Sequence, residues 1–205
     1  MAGKKRIIAV AGNMGSGKSS LVRFLCQQFQ LTPFFEPNDR NPYIEDFYED
    51  MKEYAFRSQI FFLIHRFRMH REMEGRPETV VQDRTIYEDA EIFAEYLHRR
   101  KLIDARDYRT YREMYETLVG ELKPPDLLIY LQCSTKALMK RIERRGRKSE
   151  EGVPRNYVEK LNDLYDEWFA RYNRSPTLVI ESEKMDYIED LFGRHDLLKT
   201  IEKYL

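Results

Sequence analysis

The sequence predicts an α/β fold in which helices flank a five-stranded, parallel, doubly wound sheet. Two observations carry this prediction: short apolar runs of strand length recur along the chain, and segments with helical periodicity lie between them. The runs are almost continuously hydrophobic, which is typical of strands that are buried on both faces. The predicted strands are residues 6–11, 33–36, 79–82, 126–133 and 177–181.

Helical patterns fill the intervals between these strands, and the alternation favours right-handed crossovers. The predicted helices are residues 18–29, 43–74, 87–100, 105–121, 135–145, 155–172 and 187–204. Residues 144–153 are charged, contain glycine and lack an apolar face, so we interpret them as a loop between two helices. Because the sequence shows neither an internal repeat nor a low-complexity linker, we interpret residues 1–205 as a single domain.

The composition is that of a globular protein, with 42% hydrophobic and 34% charged residues. Lys plus Arg and Asp plus Glu each number 35, so the net charge offers no argument for a nucleic acid or an anionic membrane as partner. The first residues lack the apolar region of a signal peptide, and no apolar run has the length of a membrane span. We therefore expect a cytoplasmic protein with no nucleic-acid or membrane partner.

Residues 12–20 read G-N-M-G-S-G-K-S-S, which matches the phosphate-binding pattern G-x-x-x-x-G-K-[ST]. A predicted strand precedes the loop and a predicted helix follows it, a context that a chance match would lack. The glycines allow backbone N–H groups to turn toward an anion, Lys18 adds charge at the β- and γ-phosphates, and the Ser19 hydroxyl can bind Mg²⁺. The residues expected to hold the triphosphate are Gly12, Asn13, Met14, Gly15, Ser16, Gly17, Lys18, Ser19 and Ser20.

Acidic residues are predicted at the ends of two strands that share an edge with this loop. Glu36 ends the second strand and could accept a hydroxyl proton as an acceptor attacks the phosphate. Asp83 and Arg84 follow the third strand, where the carboxylate could hold Mg²⁺ through water and the guanidinium could steady the acceptor or the phosphoryl oxygens. Each strand end could instead cap the next helix. Their joint occurrence beside one phosphate loop favours the catalytic interpretation.

One face of the predicted helix 43–74 carries an unusual combination of side chains. Gln59 and Arg66 are seven residues apart, hence about 20° apart around a helix, and Phe62 lies between them. An amide and a guanidinium beside an aromatic ring are suited to binding the edge and face of a nucleobase. A purely structural role, with Arg66 covering apolar surface and Gln59 bonding the backbone, stays open.

The basic run at residues 140–148 includes Arg141, Arg144, Arg145 and Arg147. It is compatible with a solvated helix end, with a nucleic-acid patch, and with a lid whose arginines close over a triphosphate. Its place after the fourth strand and the following helix favours the lid, but the residues alone do not decide.

Five motifs, in this order, resemble those of the deoxyribonucleoside kinases: G-N-M-G-S-G-K-S-S, E-P-N-x-x-N-P-Y-I-x-x-F-Y, S-Q-I-F-F-L-I-H-R, D-R-T-I-Y-E-D and R-R-G-R-x-x-E-E-G-V-P. The sequence is most similar to the bacterial deoxyadenosine/deoxyguanosine kinases, which are related to the deoxycytidine enzymes. The resemblance covers roughly residues 7–172 and implies a P-loop kinase fold with an arginine-rich lid near residues 144–153. It also implies Mg²⁺-dependent transfer of phosphate from ATP to the 5′-hydroxyl of a deoxyribonucleoside, by a homodimer.

The resemblance further implies roles for individual residues. Glu36 corresponds to the general base for the 5′-hydroxyl, and Arg84 lies beside that hydroxyl; with Lys18 they form the expected catalytic set. Gln59 corresponds to the residue that pairs with the base, and Arg66 and Asp89 complete base recognition.

The remaining positions concern the sugar, the metal and the lid. Tyr48 and Glu150 match the residues that hold the 3′-hydroxyl, and Asp83 matches an acidic residue near Mg²⁺. The lid arginines implied by the resemblance are Arg141, Arg145 and Arg147.

Two other functions share parts of this pattern. A nucleoside monophosphate kinase such as thymidylate kinase has the loop, an early acidic-Pro motif and a D-R strand end, and a nucleotide-binding switch needs only the loop. The preferred base also stays open: the resemblance favours adenine and guanine, with cytosine as a further possibility.

Overall fold

The computed structural model describes residues 5–35, 40–147, 150, 152–183 and 191–204. Within these residues, five parallel strands form one sheet, which confirms the predicted fold class. The strands are β1 (Ile7–Ala11), β2 (Thr32–Phe34), β3 (Val80–Asp83), β4 (Leu127–Gln132) and β5 (Thr177–Glu181). Their order across the sheet is β2-β3-β1-β4-β5, so β1 lies at the centre between β3 and β4.

Helices cover both faces of this sheet, and one of them contains a π-helical segment. That segment, Asp89–Ala94, joins α4 (Ile86–Glu88) to α5 (Glu95–Arg99). The other helices are α1 (Lys18–Phe29), α2 (Ile44–Glu49), α3 (Met51–Gly75), α6 (Ala105–Gly120), α7 (Thr135–Arg145), α8 (Arg155–Arg171) and α9 (Leu191–Glu202).

The prediction of one helix over residues 43–74 is wrong, because the backbone breaks at Asp50. Asp50 adopts φ −136° and ψ 84°, outside the helical region, and its carboxylate accepts hydrogen bonds from the N–H groups of Lys52 and Glu53. Aspartate is favoured at this position because its side chain satisfies N–H groups that the break leaves without carbonyl partners in the first turn of α3. Tyr48 on α2 and Gln59 on α3 therefore do not lie on one helix.

Two other elements have boundaries that differ from the predicted ones. The second strand is Thr32–Phe34 rather than 33–36, and Glu36, its predicted catalytic end, lies outside the described residues. The helix predicted from residue 87 begins at Ile86, because Thr85 and Glu88 form a capping box at its start.

The central strand β1 presents larger side chains to one apolar layer and smaller side chains to the layer on the other face of the sheet. Ile8 and Val10 pack with α1 and α9 on one face of the sheet. Ala9 and Ala11 face the other way, where the larger layer of α3, the π segment and α8 includes the fully buried Trp168. Small residues on this side of β1 let bulky aromatic side chains approach the sheet closely.

Candidate active site

The carboxyl ends of β1 and β3 bring the phosphate loop and the Asp83-Arg84 pair together. Val10 of β1 is in register with Asp83 of β3, and the N–H of Arg84 donates to the oxygen of Val10 at 3.0 Å. The chain then turns from β1 into the loop at the same edge of the sheet. The two predicted parts of the catalytic site are thus direct neighbours.

The phosphate loop has the backbone of an anion-binding nest. Gly17 precedes α1 with φ 99°, and no side chain caps the first N–H groups of that helix. These groups and the positive end of the helix dipole are therefore available to an anion. At Gly12, φ is 148° and an added Cβ would lie 2.8 Å from Ser16 Oγ, so glycine is required there.

The lysine of the loop lies inside the nest. Lys18 is buried, and its ammonium donates to the backbone oxygens of Gly12 at 2.7 Å and Asn13 at 3.0 Å. Ser20, by contrast, is exposed in the first turn of α1. Of the loop residues predicted to hold phosphate, Ser20 is thus the one turned most toward solvent.

Helix α8 anchors the loop through a side chain whose partner the sequence did not reveal. Asn13 is buried, and its amide donates to the backbone oxygen of Val158 at 3.0 Å, while its own oxygen accepts from the N–H of Met14 at 2.8 Å. Asn162, one turn further along α8, lies 3.3 Å from the same amide. The variable positions of the motif therefore help to fix the loop against the rest of the fold.

Ser19 and Asp83, the predicted metal ligands, contact each other. Ser19 Oγ donates to Asp83 Oδ2 at 2.5 Å, and the buried Asp83 Oδ1 has no hydrogen-bond partner among the described residues. A serine hydroxyl beside a carboxylate, one oxygen of which accepts no hydrogen bond from the described residues, suits a hard cation such as Mg²⁺. Within the described part of the chain, no cluster of three or more His, Cys, Asp or Glu residues could hold a metal ion. Phosphate oxygens and water would therefore have to complete the coordination of a cation.

Arg84 adopts a conformation that only its surroundings can maintain. Its φ of 70° lies in the left-handed region, which costs free energy for a residue with a side chain. Arg66 stabilises this turn, since its Nη1 donates to the backbone oxygens of Asp83 at 3.1 Å and Arg84 at 3.3 Å. The Arg84 guanidinium lies over the ring of Phe93, 4.4 Å from the ring centroid.

The polar face predicted on α3 is buried. Arg66 and Asp89 form an ion pair, and Asp89 is the first residue of the π segment, a distortion often found at functional sites. Gln59 is also buried, and its Oε1 has no hydrogen-bond partner among the described residues. An unsatisfied buried acceptor that faces a cleft is a place for a ligand donor.

A cleft that is partly open to solvent collects most of the predicted acceptor residues, and the space within it, including solvent at its mouth, is about 690 Å³. Of the residues singled out from the sequence, those that line it are Met14, Tyr48, Gln59, Phe62, Arg84, Asp89, Arg147 and Glu150. Arg66 does not line the cleft, so it acts on the cleft through Asp89 and the β3 turn.

The cleft is also lined by aromatic residues that the sequence did not single out. Phe47, Phe93 and Tyr157 also face the cleft. Burial raises the pKa of Tyr157 well above its usual range, so its hydroxyl stays neutral. Helical periodicity identifies Tyr157 as inward-facing but cannot distinguish a core residue from a cleft residue.

The predicted lid arginines lie in different surroundings. Arg141 donates to the backbone oxygens of Ser16 at 3.2 Å and Ser182 at 2.6 Å, and so connects the phosphate loop to the end of β5. Arg145 pairs with Glu150, with Nε and Oε2 3.1 Å apart, and Arg147 Nη1 lies 3.8 Å from Glu150 Oε1. Residues 148, 149 and 151 lie outside the described residues, and the lid stays a prediction.

None of the helices in the described ranges has the length and apolar character that crossing a membrane requires.

Comparison with known proteins places this arrangement in a family. The chain matches the model of the deoxynucleoside kinases over residues 8–205. It is 37% identical over 189 residues to a deoxyadenosine/deoxycytidine kinase of Bacillus subtilis, which covers 91% of this chain and 87% of that protein. It is 33% identical over 204 residues to a deoxyguanosine kinase of Lactobacillus johnsonii, covering 95% of this chain and 90% of that protein. The solved structure of a deoxyadenosine kinase from M. mycoides with bound dATP superposes with a TM-score of 0.83 at 32% identity, covering 94% of this chain and 98% of that chain.

A phosphate loop at the centre of a parallel sheet, with a cleft beside it that Arg84 lines, is typical of the P-loop phosphotransferases. Within that class, the chain belongs to the deoxynucleoside kinase family, as its five motifs predicted. It is a deoxynucleoside kinase, and this membership does not favour a monophosphate kinase or a nucleotide-binding switch.

Proposed function

We propose that this kinase transfers the γ-phosphoryl group of ATP to the 5′-hydroxyl of a deoxyribonucleoside that carries adenine, guanine or cytosine. The observation that carries the proposal is the position of Arg84: it follows β3 beside the phosphate loop and also lines the cleft that contains Gln59. Donor and acceptor sites therefore meet at one side chain. The relatives support the choice of acceptor, since they are named as kinases of deoxyadenosine, deoxycytidine and deoxyguanosine.

On the donor side, the loop residues 12–20 bind the triphosphate. The Lys18 ammonium exchanges its contacts with backbone oxygens of the loop for contacts with the β- and γ-phosphates. The bound dATP of the M. mycoides kinase supports a nucleotide of this kind as ligand of the family. Ser19 and Asp83 hold Mg²⁺, which when bound neutralises charge on the phosphates. Arg141 keeps the loop aligned with the end of β5, and Arg145 and Arg147 approach the phosphates from the predicted lid.

On the acceptor side, Gln59 and Asp89 bind the edge of the base, and Phe62 lies against its face. The free acceptor Oε1 of Gln59 suits an amino group of adenine or cytosine, and rotation of the amide presents a donor instead. Tyr48 and Glu150 bind the 3′-hydroxyl from the same cleft.

In the reaction, Glu36 removes the proton of the 5′-hydroxyl as its oxygen attacks the γ-phosphorus. The bond from this oxygen to phosphorus forms while the bond to the β–γ bridging oxygen breaks, and ADP leaves. Arg84 stabilises the charge that develops on the phosphoryl oxygens. Glu36 lies outside the described residues, and its motif and its place in the sequence shortly after β2 support this role. The homodimer that the resemblance implies likewise stays a prediction.

Purified protein with ATP, Mg²⁺ and each of the four deoxynucleosides in turn tests the proposal, with the products separated by chromatography. We expect 5′-monophosphates of deoxyadenosine, deoxyguanosine and deoxycytidine, and a lower rate with thymidine. Deoxynucleoside monophosphates serve as competing acceptors. Phosphorylation of the monophosphates alone would establish the monophosphate kinase instead, and ATP hydrolysis that no acceptor accelerates would establish the switch.

A further inference from the structure

Glu88 is a fully buried carboxylate to which the proposed reaction assigns no role. Its exposure is 0%, and it is enclosed between the phosphate loop, the turn after β3, and α8. A carboxylate is costly to bury unless hydrogen bonds and opposite charge compensate it. The identity of its partners therefore indicates what the group is for.

Each oxygen of Glu88 accepts hydrogen bonds from a different part of the site. Oε1 accepts from the N–H of Gly12 at 3.2 Å and from the hydroxyl of Tyr165 at 2.9 Å. Oε2 accepts from the N–H of Thr85 at 2.7 Å and from its hydroxyl at 3.1 Å. One carboxylate thus joins the first residue of the phosphate loop to the residue directly after Arg84.

The charge of Glu88 also faces Arg84 itself, since Arg84 Nε lies 4.0 Å from Glu88 Oε1. Arg84 has the strained φ of 70°, and Arg66 holds its backbone oxygen. Glu88 is therefore a negative group beside an arginine whose backbone oxygen is held by Arg66.

We propose that Glu88 is a positioning residue that sets the separation between the phosphate loop and the Arg84 guanidinium. It is not a catalytic residue, because protein donors occupy its oxygens and it does not line the cleft. The N–H of Gly12 donates to Glu88, so the phosphate-binding N–H groups of the loop begin after Gly12. The inference rests on the proposed function, because it concerns the alignment of donor and acceptor in that reaction.

The variant Glu88→Gln keeps the size of the side chain but removes its charge and turns one oxygen into a donor. We expect kcat to fall by about tenfold or more, because small displacements of aligned groups strongly reduce the rate. Dissociation constants of ATP and deoxyadenosine, measured by calorimetry, should change by less than about threefold, since the groups that bind them remain. Glu91→Gln is the matched control: Glu91 lies one helical turn on and also accepts from a tyrosine, Tyr115, at 2.6 Å. Its kcat should stay within about twofold of the wild type.

The decisive measurement repeats Glu88→Gln in an Arg84→Lys background. If Glu88 acts by positioning Arg84, the same change should then reduce kcat by less than about threefold, because coupled residues are not additive. A residue that merely stabilises the fold would reduce kcat by the same factor in both backgrounds, and that result would overturn the proposal. So would a Glu88→Gln enzyme with wild-type kcat.

Tyr165→Phe provides the comparison if Glu88→Gln does not fold, since it removes one donor to Glu88 and leaves the ring in place. We expect its kcat to fall by about threefold or more, and a smaller effect in the Arg84→Lys background. Wild-type kcat for this variant would overturn the proposal in that case. The proposed function is tested separately by the turnover of the wild-type enzyme. If the wild type did not phosphorylate any deoxynucleoside, that result would contradict the proposed function and not the role of Glu88.

Discussion

Arg66 and Asp89 form an ion pair, with Nε and Oδ2 3.1 Å apart and side chains only 1% and 4% exposed. Arg66 also holds two backbone oxygens of the turn after β3, including that of Arg84. The pair therefore connects Asp89, which lines the cleft and which we propose binds the base, with the backbone of Arg84. Its removal should affect stability and base preference together.

Replacing Asp89 with asparagine should lower the free energy of unfolding by roughly 3 kcal/mol, because it removes the carboxylate charge that pairs with the buried Arg66. It should also reduce kcat/KM for deoxyadenosine more than for thymidine. Urea denaturation and steady-state kinetics measure the two effects. Glu53→Gln is the control. It breaks an exposed ion pair with Arg57 on α3, the helix that also carries Arg66, and should lower the free energy of unfolding by less than about 0.5 kcal/mol. Equal losses for the two variants would contradict the structural role of the buried pair.

Asp83→Asn should raise the Mg²⁺ concentration for half-maximal rate by about tenfold or more, since a neutral amide oxygen is a weaker ligand than a carboxylate. The measurement is the initial rate against free Mg²⁺ at a saturating concentration of ATP. Asp126→Asn is the matched control, because Asp126 accepts from the N–H of Ile7 at the opposite edge of the sheet. An unchanged Mg²⁺ dependence of Asp83→Asn would show that this carboxylate does not bind the cation.

Glu36→Gln should lose most of its turnover, by about a hundredfold or more, and keep most of its affinity for the deoxynucleoside, because the carboxylate acts on the proton in transit. Single-turnover kinetics and equilibrium binding distinguish the two quantities. Glu45→Gln, an exposed carboxylate on α2, is the control. If Glu36→Gln turned over at the wild-type rate, another group would have to be the base.

His70 should make the fold less stable in acid. It is buried, and its Nε2 lies 2.8 Å from the backbone oxygen of Lys123, to which it donates. Burial lowers the pKa of His70 below its usual value, with a further contribution from Arg71, and this outweighs the raising effects of Lys123 and Glu74. The unfolded chain therefore binds a proton more readily than the folded one. The stability is present above the unfolded pKa, about 6.5, and is lost as pH falls below it.

Urea midpoints between pH 8 and pH 5 test this prediction. The wild type should lose more stability over this range than His70→Gln, which keeps an N–H donor but does not titrate. His195→Gln, at an exposed position, should follow the wild type. Parallel curves for the wild type and His70→Gln would show that His70 does not contribute to the acid sensitivity.

Features that depend on neighbouring residues were predictable from the sequence. The strands, the phosphate loop and the common face of Gln59 and Arg66 follow from hydrophobic runs, glycine spacing and helical phase, all of which act over a few residues. The break at Asp50 is the instructive failure within this local range. Its capping signal is present in the sequence, but the apolar pattern on both sides outweighed it.

The tertiary structure decided which side chains meet. The strand order places β1 between β3 and β4, and only then do Gly12, Thr85 and Tyr165 converge on Glu88. The same holds for the anchoring of Asn13 on α8. Thr85 and Glu88 are close in sequence, but the contacts of Glu88 with Gly12 and Tyr165, and that of Asn13 with Val158, join residues more than seventy positions apart. No local pattern records these long-range contacts, because burial and partner depend on how the helices pack on the sheet. The sequence by itself thus determined the chemistry at the carboxyl edge of the sheet, and packing determined how that chemistry is held in place.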